Sequence, residues 1–107
     1  MRKINNEAEL NEVISSNDFT ICKIGAEWCG PCRVLENSIK EIEQSNADTA
    51  EFVEVDVDEA DEDFVASLNV RNIPVMLFYK GGEVFERVAG LISKETILAK
   101  IRIMKGE

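Results

Sequence analysis

Apolar positions recur along the chain at two spacings, and the spacing changes where turn residues fall. From Asn6, "NEAELNEVIS" puts Leu10, Val13 and Ile14 on one side of a helical repeat. Asn6 is placed to cap that helix, with Glu9 three residues on. "FTICKIG" from Phe19 is short, β-rich and almost continuously apolar, which predicts a strand buried on both faces. After a Gly-Pro turn, Cys32, Leu35, Ile39 and Ile42 return to helical spacing, and this helix is expected to fade near "QSNAD". "FVEVDV" from Phe52 predicts the next strand, and "DEADEDFVASLN" a helix with an acidic start. "PVMLFYK" and "EVFERVA" read as two strands joined through Gly81 and Gly82, a hairpin signal. Ser93 can cap a last helix whose Ile97, Ile101 and Met104 face inward.

The predicted order is helix, strand, helix, strand, helix, strand, strand, helix. Residues 2–4 add a short edge strand. The first half calls for a right-handed parallel crossover and the second for an antiparallel hairpin. The expected fold class is therefore α/β, a mixed central sheet with helices on both faces. There is no repeat, linker or low-complexity run, and 107 residues suit a single domain spanning 1–107.

Composition narrows the classes. The apolar fraction of 45% argues for a packed core. A net charge of −9 predicts a surface that repels phosphate backbones and anionic lipid, so nucleic acid and membrane are not expected partners. No apolar run approaches a membrane span, and the start "MRKINNEAEL" lacks the apolar stretch of a signal peptide. The expected compartment is the cytoplasm, where a Cys-x-x-Cys pair means redox or metal chemistry more often than a structural staple. Histidine is absent and cysteine is limited to Cys22, Cys29 and Cys32, too few ligands for a usual zinc site. No metal is expected. The acidic run "DVDEADED" lacks the glycine and closing glutamate of a calcium loop and reads as a solvated helix start.

The chemistry gathers at "AEWCGPC", residues 26–32. Disulfide exchange needs a thiolate that is exposed and partly ionised at neutral pH. A helix N-terminus favours S⁻ through its free N–H groups and positive dipole end. Cys29 lies where the turn meets the helix, so it is the outer, attacking thiol. Cys32 falls on the inner face, three residues further along, and is the thiol that resolves the mixed disulfide. Pro31 is tolerated because first-turn N–H groups have no intrahelical partner. Cys22, inside the buried strand, reads as a core hydrophobe, with a regulatory thiol as the alternative.

"WCGPC", then "NIPVMLFYKGGE" about forty residues later, then "VAGLIS", resemble the thioredoxin family over nearly the whole chain. The resemblance implies the thioredoxin fold and reduction of protein disulfides by reversible oxidation of Cys29 and Cys32. It implies no bound cofactor. Electrons would come indirectly from NADPH through a thioredoxin reductase, and the protein would act as a monomer. Trp28 would shield the site and contact partners. Ile73-Pro74 resembles the family's cis-proline loop, which would lay the Ile73 backbone beside an extended substrate segment. Taken without the resemblance, Pro74 reads as an ordinary opening of an edge strand. Gly30, Pro31, Ile73, Pro74, Ala89, Gly90 and Leu91 would complete a flat docking rim around the disulfide.

The chain departs from the family in its buried charges. Lys23 stands where the family usually carries an aspartate that moves the inner cysteine's proton, and Glu54 stands where it usually carries a lysine. The reading is a swapped ion pair, Lys23 with Glu54, in which Glu54 takes over the proton relay and Lys23 favours nearby thiolates. The alternative is that Lys23 snorkels to solvent and Glu54 is merely hydrated. Gly25 replaces a common aromatic residue, which removes packing bulk near the site, and Arg33 replaces a usual lysine. Two other functions stay open at this point: an enzyme that oxidises or isomerises disulfides, and a binding subunit whose thiols are incidental. A metal-site protein is the most remote.

Overall fold

The computed structural model describes residues 1–45 and 50–107. The elements run β1 (Arg2–Lys3), α1 (Glu7–Ser16), β2 (Phe19–Gly25), α2 (Gly30–Ser45), β3 (Glu51–Asp56), α3 (Glu62–Ser67), β4 (Val75–Lys80), β5 (Glu83–Ala89) and α4 (Lys94–Met104). The strands form one five-stranded sheet in the order β1-β3-β2-β4-β5. β1 and β2 both run parallel to β3, while β4 pairs antiparallel with β2 and with β5. The mixed sheet expected from the element order is thus the one formed. The expected end of α2 at "QSNAD" falls mostly on residues 46–49, outside the described residues.

Strand alternation divides the core into two layers. Cys22, Ile24, Val53, Val55 and Leu77 pack on one face with Leu10, Val13 and Ile14 of α1 and Phe64 of α3. Ile21, Phe52, Met76 and Phe78 pack on the other with Leu35, Ile39 and Ile42 of α2 and Ile97, Ile101 and Met104 of α4. Each burial follows from the period of its own element, so both amphipathic helix faces and the two-sided strand β2 are explained by one arrangement. Lys23 shares the α2 side of β2 with Ile21 and Gly25.

The caps also follow the sequence. Asn6 accepts the N–H of Glu9 at 2.9 Å, and Ser93 accepts that of Thr96 at 3.1 Å. Each satisfies a first-turn donor that no carbonyl can reach. Ser93→Ala is expected to lower stability by about 1 kcal/mol, read as a shifted denaturant midpoint with an unchanged slope.

Two details differ from the expectation. α3 is shorter than "DEADEDFVASLN", beginning only at Glu62. The Asp56 carboxylate accepts the Asp58 N–H at 2.8 Å, and the Asp56 carbonyl accepts from Glu59 and Ala60. This local turn competes with helix over residues 56–60. The β4–β5 hairpin turns at Gly81, with φ of +62°, but its register shifts after Phe78, so that Tyr79 faces Val84 and Phe78 faces Glu86. Phe85 is the extra residue of a bulge.

Candidate active site

The site lies where β2 ends and α2 begins. Cys29 hands the chain to the helix: its carbonyl accepts the Arg33 N–H at 3.2 Å, and its own N–H bonds to the Ala26 carbonyl. Cys29 and Cys32 form a disulfide with Cα atoms 5.3 Å apart, inside the range such a bridge needs. The Cys32 backbone N–H points at Cys29 Sγ, 3.3 Å away. A first-turn donor is therefore aimed at the sulfur that the sequence marks as the attacking thiolate.

Both sulfurs are more enclosed than the expectation of an exposed nucleophile allowed. Cys29 is 6% exposed and Cys32 1%. Ala26, Ile73 and Val57 pack around the bridge. Cys29 is still the more accessible of the two, and the residues around it are open: Trp28 is 71% exposed, Gly30 and Pro31 are exposed, and so are Ala89, Gly90 and Leu91. The Ile73–Pro74 bond is cis, and the Pro74 carbonyl accepts the Gly90 N–H at 2.9 Å, which ties the segment before β4 to the one after β5. Pro74 itself is buried and Ile73 half-buried.

Sequence reasoning missed two features near the motif. Trp28 Nε1 donates to Asp58 Oδ2 at 2.7 Å, so the turn that shortens α3 also anchors the tryptophan. No spacing signal joins residues so far apart. Val34 is a second apolar side chain exposed on the first turns of α2, close in sequence to the motif. Its signal was available, because it falls between the inward positions Cys32 and Leu35.

The charges beneath the disulfide are arranged differently from the swapped pair. Lys23 and Glu54 do stand in register on β2 and β3. The Lys23 ammonium, however, lies 3.7 Å from Glu36 Oε2 on α2, and no Lys23–Glu54 ion pair forms among the described residues. Lys23 is 5% exposed and does not snorkel to open solvent. Its stem runs past Gly25, with Cε 3.6 Å from where a Cβ on that residue would stand, and its ammonium meets Glu36 of α2. Glu36 also binds Lys40 at 3.2 Å across one helical turn. Burial pushes the Glu36 carboxyl up, but the Lys40 hydrogen bond and the charges of Lys23 and Lys40 outweigh it and hold it below the usual carboxylate range.

These groups line a cleft of about 290 Å³, open to one side, which Glu54, Glu27 and Asp56 also border. Gly25, expected to remove packing bulk near the site, leaves room that Cys32 occupies: a Cβ there would meet Cys32 Sγ at 2.9 Å and Cys32 Cβ at 3.1 Å. The glycine lets the inner cysteine close on the strand.

Cys22 lies on the opposite face of β2, fully buried. Burial, helped by the Glu54 charge and opposed by Lys23, pushes its thiol up to about 12. A buried thiol held protonated is a poor nucleophile, which supports the reading of Cys22 as a core residue. In the native protein Cys22 is expected to resist alkylation at pH 8 and to react once denaturant is added. In the unfolded chain the thiol ionises near its ordinary value. The stability it contributes is therefore full below that value and is lost as pH rises from about 9 toward about 12.

A cysteine pair closing the N-terminus of a helix that leaves a central mixed sheet, with a cis-proline loop packed against the bridge, defines a thiol–disulfide oxidoreductase. The family model for thioredoxin matches residues 2–103, and the chain belongs to the thioredoxin family. It is 35% identical over 97 residues to a thioredoxin of Mycoplasmoides gallisepticum, covering 91% of this chain and 95% of that one. A mutant thioredoxin from Halobacterium salinarum superposes with a TM-score of 0.87 at 28% identity, covering 96% of this chain and 88% of that one. Mitochondrial thioredoxin 3 of Saccharomyces cerevisiae, in its oxidised form, superposes with a TM-score of 0.83 at 26% identity, covering 96% and 94%.

Proposed function

We propose that this protein reduces disulfides of protein substrates, with Cys29 as nucleophile and Cys32 as resolving thiol. The observation that carries the reading is the Cys32 N–H directed at Cys29 Sγ at the start of α2, a donor for the thiolate that attack requires. The Cys29 thiolate attacks one sulfur of the substrate disulfide, and the substrate's other sulfur leaves as a thiol after taking a proton. Cys32 then gives up its proton and attacks Cys29 Sγ. The second substrate thiol is released, and the Cys29–Cys32 disulfide remains. The proton from Cys32 passes, directly or through water, to the cleft, where Glu54 is the proposed relay. Lower turnover in Glu54→Gln, with the Cys32 titration moved, is the expected result; an unchanged rate and titration would remove Glu54 from the mechanism.

Trp28, Gly30, Pro31, Ile73, Pro74, Ala89, Gly90 and Leu91 form the proposed docking rim. A largely apolar, exposed rim around an enclosed disulfide suits an extended substrate segment that pairs with the Ile73 backbone. The proposed setting is a single-domain monomer of the cytoplasm that carries electrons from NADPH through a thioredoxin reductase. No helix among the described residues is long and apolar enough to cross a membrane. The test couples NADPH, a purified reductase, this protein and insulin. NADPH consumption and insulin precipitation that both depend on the protein are expected. Insulin left intact would reject the reading.

A further inference from the structure

A buried lysine beneath a disulfide needs a counter-charge, and here α2 supplies it rather than β3. Lys23 Nζ and Glu36 Oε2 are 3.7 Å apart. Lys23 Cε would lie 3.6 Å, and Cys32 Sγ 2.9 Å, from a Cβ placed on Gly25. The lysine stem and the inner sulfur thus flank the same point, no further apart than those two distances together. Glu36 follows Cys32 by four residues on α2, so it lies one turn below that sulfur on the same side of the helix.

We propose that Glu36 is a positioning residue for dithiol exchange: it holds and partly cancels the Lys23 charge beneath Cys32, and so sets how readily the disulfide accepts electrons. Reduction takes two electrons and breaks the S–S bond. The electron donors, two thiols, are oxidised to one disulfide and release two protons. A sulfur released as a thiol takes a proton from water, and one that stays S⁻ takes none. A cation beside Cys32 stabilises the S⁻ form, and therefore the reduced protein. Glu36 opposes this because its negative charge faces the same ammonium. The other charged residues around the cleft are Lys40 on α2, which also binds Glu36; Glu54 and Asp56 on β3; Glu27 just ahead of Trp28; Lys3 on β1; and Met1, whose terminal ammonium pairs with Glu43. None of these forms an ion pair with Lys23 among the described residues. Glu36 is the partner placed to govern it.

The inference rests on the proposed division of labour between the two cysteines, yet its test reads an equilibrium rather than turnover. The protein is equilibrated with glutathione buffers of set redox poise, and the reduced fraction is measured by thiol labelling and mass. Glu36→Gln is expected to raise the ratio of reduced to oxidised protein by about threefold, the modest size reflecting a half-buried pair. Lys23→Met is expected to lower it, and Glu36→Gln added to Lys23→Met is expected to change nothing further. Lys23→Arg keeps the charge and so keeps the sensitivity to Glu36→Gln. If Lys23→Met does not fold, Lys23→Gln replaces it. An unchanged ratio in Glu36→Gln, or the same shift with and without Lys23, overturns the proposal. Failure of insulin reduction by the wild type, with the glutathione equilibria intact, would instead strike the proposed function.

Discussion

Replacing Cys29 by serine is expected to reduce insulin-disulfide turnover by about three orders of magnitude or more, to the uncatalysed level. The hydroxyl that replaces the thiol is almost wholly protonated at neutral pH and forms no disulfide. The N–H of Cys32 would still point at the oxygen, so the helix start is kept while the chemistry is lost. Cys32→Ser is expected to behave differently. It retains the attacking sulfur, completes the first exchange and then stalls with substrate attached. Equal behaviour of the two variants would show that the sulfurs do not have distinct roles.

Gly25→Ala is expected to cost about 1–2 kcal/mol of stability in the oxidised protein. Overpacking a core costs about 1–3 kcal/mol, while a Gly→Ala change returns about 0.4–1 kcal/mol through the unfolded chain. The first wins here because the new methyl would stand 2.9 Å from Cys32 Sγ, an atom tied to Cys29 and 1% exposed. Neither sulfur nor strand has room to give: the Gly25 carbonyl also accepts the Val57 N–H at 2.9 Å. Urea midpoints measured for Gly25→Ala and wild type, both oxidised, check this. An unaltered or higher midpoint would mean that the inner cysteine does not rest on the strand as described.

Much of the architecture was legible because each element carries its own period. Leu10, Val13 and Ile14, and later Ile97, Ile101 and Met104, fit helix faces, and the almost continuous apolar run of β2 fits a central strand. The placement of the two cysteines was legible for the same reason, since Cys29 precedes the helical repeat and Cys32 belongs to it. What escaped the sequence depends on side-chain reach and on local competition. The length of α3 was decided by one carboxylate, Asp56, which closes a turn that helix propensity alone does not weigh. The partner of Lys23 was sought at the residue beside it in the sheet, whereas a lysine stem is long enough to pass over Gly25 and meet the helix above. Glu36 did carry a signal. It is a carboxylate at helical spacing from Cys32, between the buried Leu35 and Ile39. The enclosure of Cys29 had no sequence counterpart, because it comes from Ala26, Val57 and Ile73 converging from three separate segments.

If Cys29 attacks and Cys32 resolves, the mixed disulfide between Cys29 and the substrate can be trapped. Cys32→Ser is mixed with a protein disulfide, quenched with acid, digested without reductant and read by mass spectrometry. A stable mixed disulfide joining the substrate to Cys29, with Cys22 unmodified, is expected. A substrate adduct on Cys22, or none at Cys29, would contradict these roles.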